Sequence, residues 1–190
     1  LDDDNDSVLD SNDSCPKGEL NWSSSNTTDH DSDGCKDSST EDLDDDNDTV
    51  PDLTDSCPRG EIGWTSNTTT DWDGDGCFDG PASIFNIEED TDDDNDGIED
   101  TDDLCYRGAI NWISNPTLDY DGDGCKDDIE DGDDDNDSMN DGLDDCQKGE
   151  LNWTSSNITD YDFDGCKDDT LEDLDDDNDE RNDSSDYCPK

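Results

Sequence analysis

The string Asp-Asp-Asp-Asn-Asp occurs five times, starting at Asp2, Asp44, Asp92, Asp133 and Asp175, at intervals of 42, 48, 41 and 42 residues. A period of this size marks a tandem array in which each unit touches mainly its neighbours. The register divides the chain into repeats at 1–42, 43–90, 91–131 and 132–173, with a partial fifth at 174–190. Each full repeat reads as an acidic block, a Cys, a Trp-containing polar stretch, a second acidic block and a second Cys. The longer second repeat carries an insertion at 81–86, Pro81-Ala82-Ser83-Ile84-Phe85-Asn86.

Composition limits what can hold such repeats together. With 64 acidic and 9 basic residues the net charge is -55, and only 24% of residues are hydrophobic. Values like these normally belong to disordered chains, because too little apolar surface is available to offset chain entropy. They exclude a large apolar core, and the charge repels nucleic acid. No apolar run is long enough to span a membrane. A disordered polyanion has no need of a strict register, so the periodicity favours a chain that folds around something other than an apolar core.

The cysteines hold the tightest register. Cys15 and Cys35, Cys57 and Cys77, Cys105 and Cys125, and Cys146 and Cys166 are each 20 residues apart, whereas the gaps between pairs are 22, 28 and 21. A fixed span beside a variable one favours a disulfide closing each 20-residue span. The alternative pairing, Cys35–Cys57, Cys77–Cys105, Cys125–Cys146 and Cys166–Cys188, stays open at this level. One cysteine is left over, Cys188 in the first scheme and Cys15 in the second. Each closed loop would contribute roughly 3 kcal/mol by restricting the unfolded chain. Disulfides at this density imply an oxidising, extracytoplasmic setting, and the short Cys/His spacings of a zinc site are absent from the sequence.

Both acidic blocks have the spacing of a calcium loop. Such loops place oxygen ligands at positions 1, 3, 5, 7 (a backbone carbonyl), 9 and 12, because a hard cation takes six to eight oxygens. In the first kind of block these positions fall on Asp2, Asp4, Asp6, Asp10 and Asp13; Asp44, Asp46, Asp48, Asp52 and Asp55; and Asp92, Asp94, Asp96, Asp100 and Asp103. They fall again on Asp133, Asp135, Asp137, Asp141 and Asp144, and on Asp175, Asp177, Asp179, Asp183 and Asp186. Position 6, which normally needs Gly for a sharp turn, has Gly97 in one block but Ser7, Thr49, Ser138 and Glu180 in the others. Those four loops are expected to be strained or differently bent.

The second kind of block runs into the second Cys. It supplies Asp29, Asp31, Asp33 and Asp37; Asp71, Asp73, Asp75 and Asp79; Asp119, Asp121, Asp123, Asp127 and Glu130; and Asp160, Asp162, Asp164 and Asp168. Here Gly always occupies position 6, and position 12 is acidic only at Glu130. Elsewhere it is Thr40, Ala82 and Leu171, so the last acid is expected from Glu41 or Glu172 one place on, or from the next block. Acidic runs are ordinarily solvated faces. Two carboxylates about 4 Å apart repel by roughly 4 kcal/mol at an intermediate dielectric, so several converging on one point require a cation, whose binding then becomes folding free energy.

These residues resemble thrombospondin type-3 repeats and their microbial relatives. Asp92-Asp93-Asp94-Asn95-Asp96-Gly97-Ile98-Glu99-Asp100 followed by Leu104-Cys105 matches that family's acidic string and Cys, and Cys15-Pro16 and Cys57-Pro58 match its Cys-Pro. Tyr106 and Gln147 stand where Pro would follow Cys, and the Trp stretches are additions. The resemblance implies irregular backbone, with at most short strands or turns, wound around Ca2+ as a linear array and stapled by disulfides. It also implies secreted or cell-surface proteins, often stalks or spacers without catalysis.

Between the paired cysteines, Leu20 and Trp22, Ile62 and Trp64, Ile110 and Trp112, and Leu151 and Trp153 lie two apart, as on one side of an extended strand. The expectation is a small core against the disulfide, joined by the aromatic at position 2 of the second block (Trp72, Tyr120, Tyr161, with His30 in the first repeat). A carbohydrate-stacking platform is the alternative. Asn-X-Ser/Thr sequons are frequent, and those outside the acidic blocks, Asn21, Asn26, Asn67, Asn152 and Asn157, are the better acceptors for N-glycans.

The sequence therefore reads as an extracellular or cell-surface, calcium-rigidified structural segment rather than an enzyme. Calcium storage or mineral nucleation, and carbohydrate-binding adhesion, are the competing functions. The chain starts without Met and stops at Cys188-Pro189-Lys190 within a repeat. That favours either a window on a longer polypeptide or a protomer completed by a neighbour, with end-to-end self-association into a fibre as the further expectation.

Overall fold

The computed structural model describes residues 1–80 and 89–190; the insertion at 81–86 and the position-12 residue Ala82 lie outside them. Among the described residues the backbone forms turns and bends, with no helix or strand. The apolar pairs of the Trp stretches therefore do not lie on strands. The chain divides into two compact units, Leu1–Asp93 and Asp94–Lys190.

Both kinds of acidic block close in the same way. The N–H of position 9 donates to the carbonyl of the residue before position 1: Asp10 to Leu1, Asp52 to Leu43 and Asp141 to Gly132 in first blocks, Asp37 to Thr28 and Asp127 to Leu118 in second blocks, at 2.9 to 3.2 Å. The position-9 carboxylate returns the bond, accepting the N–H of position 2, as Asp52 does from Asp45 at 2.8 Å and Asp127 from Tyr120 at 2.9 Å. An Asp at position 9 thus seals the loop mouth with both its backbone and its side chain.

Position 6 is left-handed throughout. Its φ is 88° at Ser7, 87° at Thr49, 96° at Gly97, 80° at Ser138 and 74° at Glu180, against 86° to 92° at Gly34, Gly76, Gly124 and Gly165. The loops without glycine are therefore bent like the others, and the cost falls on the residue, on the order of 1–2 kcal/mol for a side chain at such a φ. Space explains why the second block never departs from Gly. A Cβ at Gly34 would lie 2.4 Å from Asp13 Oδ1, and one at Gly124 2.1 Å from Asp103 Oδ1, whereas one at Gly97 would meet only Ile113 Cγ2 at 3.9 Å. The last Asp of each first block lies directly over the turn of the second block, so that turn admits no side chain.

Within each full repeat the blocks are tied together through the backbone. Ser14, Ser56, Leu104 and Asp145 donate to the carbonyls of Asp33, Asp75, Asp123 and Asp164, and Ser24, Ser66, Ser114 and Ser155 to those of Asp6, Asp48, Asp96 and Asp137, all at 2.7 or 2.8 Å. Four disulfides close the 20-residue spans, Cys15–Cys35, Cys57–Cys77, Cys105–Cys125 and Cys146–Cys166, and Cys188 is free and exposed. The pairing is the one favoured by the constant spacing.

Among the described residues the buried apolar side chains are Cys35, Cys77, Cys125, Cys166 and Trp112, against 25 buried aspartates. The interior is therefore carboxylate, with the disulfides as its apolar part. The small Trp core forms only partly. Trp112 is buried and the other three Trp of these stretches are half-buried, while Leu20, Ile62, Ile110 and Leu151 are exposed. Three of the four Trp instead meet the residue after the second Cys: Trp64 packs on Phe78 with ring centroids 5.1 Å apart, and the Lys126 and Lys167 ammonium groups lie over Trp112 and Trp153. The position-2 aromatics reach elsewhere. His30 Nε2 lies 2.9 Å from the Gly60 carbonyl and Tyr120 Oη donates to that of Gly149 at 2.9 Å, so both bridge to the following repeat.

Candidate metal-binding clusters

Positions 1, 3 and 5 of the acidic blocks converge. Ligand oxygens of Asp2, Asp4 and Asp6 lie within 4.8 Å of one another, as do those of Asp44, Asp46 and Asp48, of Asp29, Asp31 and Asp33, and of Asp71, Asp73 and Asp75. The backbone aims each carboxylate. In the first blocks one oxygen of the position-5 Asp accepts an N–H two residues on, as Asp6 does from Val8, Asp48 from Val50 and Asp137 from Met139. Position 12 does the same, Asp13, Asp55, Asp103 and Asp144 accepting from the following Cys. Position 3 reaches across the repeat to a glycine N–H, Asp4 to Gly18, Asp46 to Gly60, Asp94 to Gly108 and Asp135 to Gly149, at 2.7 or 2.8 Å.

The second oxygens are the chemically telling ones. Asp2 Oδ1, Asp4 Oδ1, Asp6 Oδ2 and Asp13 Oδ2 are buried without a hydrogen-bond donor, and the same holds for Asp44 Oδ1, Asp48 Oδ2 and Asp55 Oδ2. Asp103 Oδ2, Asp137 Oδ2, Asp144 Oδ2, Asp175 Oδ1 and Asp186 Oδ2 repeat the pattern in the second unit. Burial, reinforced by the neighbouring carboxylates, pushes Asp48 and Asp137 up to about 6 and Asp55, Asp103 and Asp144 up to about 7. Carboxylates that lack donors on one side and face each other there are costly unless a cation takes that side.

In the second blocks, the position-1 aspartates are fully buried and serve the turn. Asp71 accepts from the N–H groups of Gly74, Asp75 and Gly76 and from Ser66 Oγ, and Asp119 and Asp160 accept in the same way. Asp33, Asp75, Asp123 and Asp164 accept the N–H of the adjacent Cys. The amide of Asn47 lies against Asp31 and Asp33, and that of Asn136 against Asp121 and Asp123.

Glu130 and its counterparts Glu41 and Glu172 are backbone clamps. Glu130 Oε1 accepts from Lys126 at 3.2 Å and Ala109 at 3.1 Å; Glu41 accepts from Lys36 and Glu19, and Glu172 from Lys167 and Glu150. Glu89, beyond the insertion, holds Phe78 and Glu61 in the same way. A Cβ at Gly18, Gly108 or Gly149 would strike these carboxylates, which explains the glycine three residues after each first Cys.

The residue after each of these glutamates is an aspartate. Asp42, Asp90, Asp131 and Asp173 each accept an N–H two residues on through Oδ1 and keep Oδ2 buried without a donor. Burial, and then the charges of Asp33 and Asp31, push Asp42 up to about 7; burial and then Asp75 and Asp73 do the same for Asp90. The signal was present in the sequence as a Glu-Asp pair before each internal repeat boundary, and the insertion and shifting offset hid it from loop counting.

Position 9 also has a role that loop spacing did not indicate. Besides sealing its own loop, in the second block it faces a basic residue of the next repeat. Arg59 Nη2 is 2.5 Å from Asp37 Oδ2 and its Nε 2.9 Å from Asp45 Oδ2; Lys148 contacts Asp127 and, at 3.4 Å, Asp134.

The molecule defined by these features is a disulfide-stapled coil protein whose interior consists of acidic groups able to hold metal ions. No family model matches the chain, and no curated protein does.

Proposed function

We propose that the chain is an extracellular structural segment, a stalk, spacer or filament element of the thrombospondin type-3 kind, whose repeats are made rigid by calcium. The observation that carries this reading is the set of buried carboxylate oxygens without donors, which recurs in the first blocks, above all at positions 5 and 12, and at Asp42, Asp90, Asp131 and Asp173 behind the second blocks. Oxygen-only donor sets with several carboxylates suit a hard divalent cation, and calcium tolerates their irregular geometry better than magnesium. In the first blocks the aspartates at positions 1, 3, 5 and 12 would hold the ion. In the second blocks positions 1, 3 and 5 would do so with Asp42, Asp90, Asp131 or Asp173. The four disulfides support an oxidising compartment, and no described helix is long and apolar enough to cross a membrane.

Asn21, Asn26, Asn67, Asn152 and Asn157 are all exposed, which suits them as glycan acceptors. A sugar-stacking role for the repeated Trp is less well supported, since Trp112 is buried and a lysine lies over its ring. Structural and storage roles separate by rigidity. Millimolar calcium is expected to give a compact, protease-resistant particle by X-ray scattering and limited proteolysis, with loss of that state in chelator. Circular dichroism and scattering that are identical in calcium and in chelator would refute the calcium core, and calcium uptake without compaction would favour storage.

A further inference from the structure

A third acidic cluster lies at the boundary between the first and second repeats and shares Asp42 with the loop cluster before it. It consists of Asp37, Asp42 and Asp45, all buried, with ligand oxygens within 4.8 Å of one another. Asp42 Oδ2 and Asp45 Oδ1 have no donor. Unlike the loop clusters, this one contains a base. The Arg59 guanidinium bridges Asp37 and Asp45. At the boundary between the third and fourth repeats, Lys148 bridges Asp127 and Asp134. After the fourth repeat, Lys190 lies 3.0 Å from Asp168 and 3.3 Å from Asp176 beside Asp173.

The base always stands two residues after the first Cys of a repeat, as Lys17, Arg59, Arg107, Lys148 and Lys190. Five of the chain's 9 basic residues occupy this one register position, so its charge belongs to the repeat design and not to a scattered surface balance. The Lys17 ammonium lies 4.0 Å from Asp3 and its side chain is 81% exposed, against 42% for Lys148.

We propose that the repeat boundary is a third cation site of this chain, filled from within: the base two residues after the first Cys takes the place of a free ion, and its removal opens the slot to a divalent cation. The inference rests on the reading of the loop clusters as calcium sites. Three carboxylates without the base have the donor set of the neighbouring clusters, and Asp42 feels the charges of Asp33 and Asp31 as well as lying against Asp37 and Asp45. The tethered cation limits these repeats to two free ions and latches the first repeat to the second, the third to the fourth and the fourth to the fifth through a contact that chelator does not remove.

The test is a count of bound calcium by equilibrium dialysis with elemental analysis, on the full chain and on Arg59→Gln, Lys148→Gln and Lys190→Gln. Each neutral substitution is expected to raise the count by one ion per chain, and Lys148→Arg to leave it unchanged. Lys190 lies outside the four disulfide-closed spans, unlike Arg59 and Lys148, so Lys190→Gln reports even if those two variants do not fold. A folded Lys190→Gln with an unchanged or lower count would overturn the proposal. A parent chain that binds no calcium would instead refute the calcium reading on which it rests.

Discussion

The division of labour between Glu130 and Asp131 makes a sharp prediction, because the two are adjacent and both acidic. Glu130 accepts two backbone N–H groups, from Ala109, 21 residues before it, and from Lys126, at 3.1 and 3.2 Å. Hydrogen bonds to a charged acceptor contribute about 1.5–3 kcal/mol each. Glu130→Gln keeps an acceptor oxygen and loses the charge, so a loss of about 1–3 kcal/mol in stability is expected, with the number of bound ions unchanged. Asp131→Asn removes a charge beside Asp121 and Asp123 and keeps the amide oxygen. Interactions between unit charges at about 4 Å amount to roughly 4 kcal/mol at an intermediate dielectric. With part of that retained by the amide dipole, one site should weaken on the order of 100-fold, since about 1.4 kcal/mol is a tenfold change. Isothermal titration with calcium gives ion number and affinity, and thermal melts in excess calcium give stability. If Glu130→Gln loses an ion while Asp131→Asn binds like the parent chain, the assignment of clamp and ligand is wrong.

Three other outcomes are expected. Thr49 is β-branched with φ 87°; Thr49→Gly should raise stability by about 1 kcal/mol in calcium-saturated melts, and a lower melting temperature would contradict the strain. Asp42, Asp55, Asp103 and Asp144 are all raised to about 7 by burial, so the ion-free fold binds more protons than the unfolded chain. Its stability should therefore fall as pH rises from about 4 to 7, whereas calcium affinity should rise over the same window as protons cease to compete; a pH-independent calcium midpoint between pH 5 and 7.5 would refute this. Replacing both Cys105 and Cys125 by Ala should cost about 3 kcal/mol in calcium, and melts that match the parent would show that the ion clusters alone restrain the loop.

Spacing along the chain was enough to indicate the pairing of the cysteines and the convergence of positions 1, 3 and 5, while the coil-like character followed from the family resemblance. The first two depend on residues close in sequence. A 20-residue span closes on itself, and alternate residues of a tight turn face one centre. Roles that depend on distant backbone were not legible. Glu130 clamps because Ala109 and Lys126 offer N–H groups to it, which leaves Asp131 to face Asp121 and Asp123. Gly34 is required because Asp13 lies over it, while Thr49 is tolerated at the equivalent place in a first block. Leu20, Ile62, Ile110 and Leu151 alternate with Trp as core residues would, yet are exposed, because the interior of each repeat is taken up by carboxylates and the disulfide. The sequence by itself determined which acids share a turn. Only the tertiary structure decided which oxygens turn inward without a donor, because that depends on where N–H groups 14 to 28 residues away come to lie.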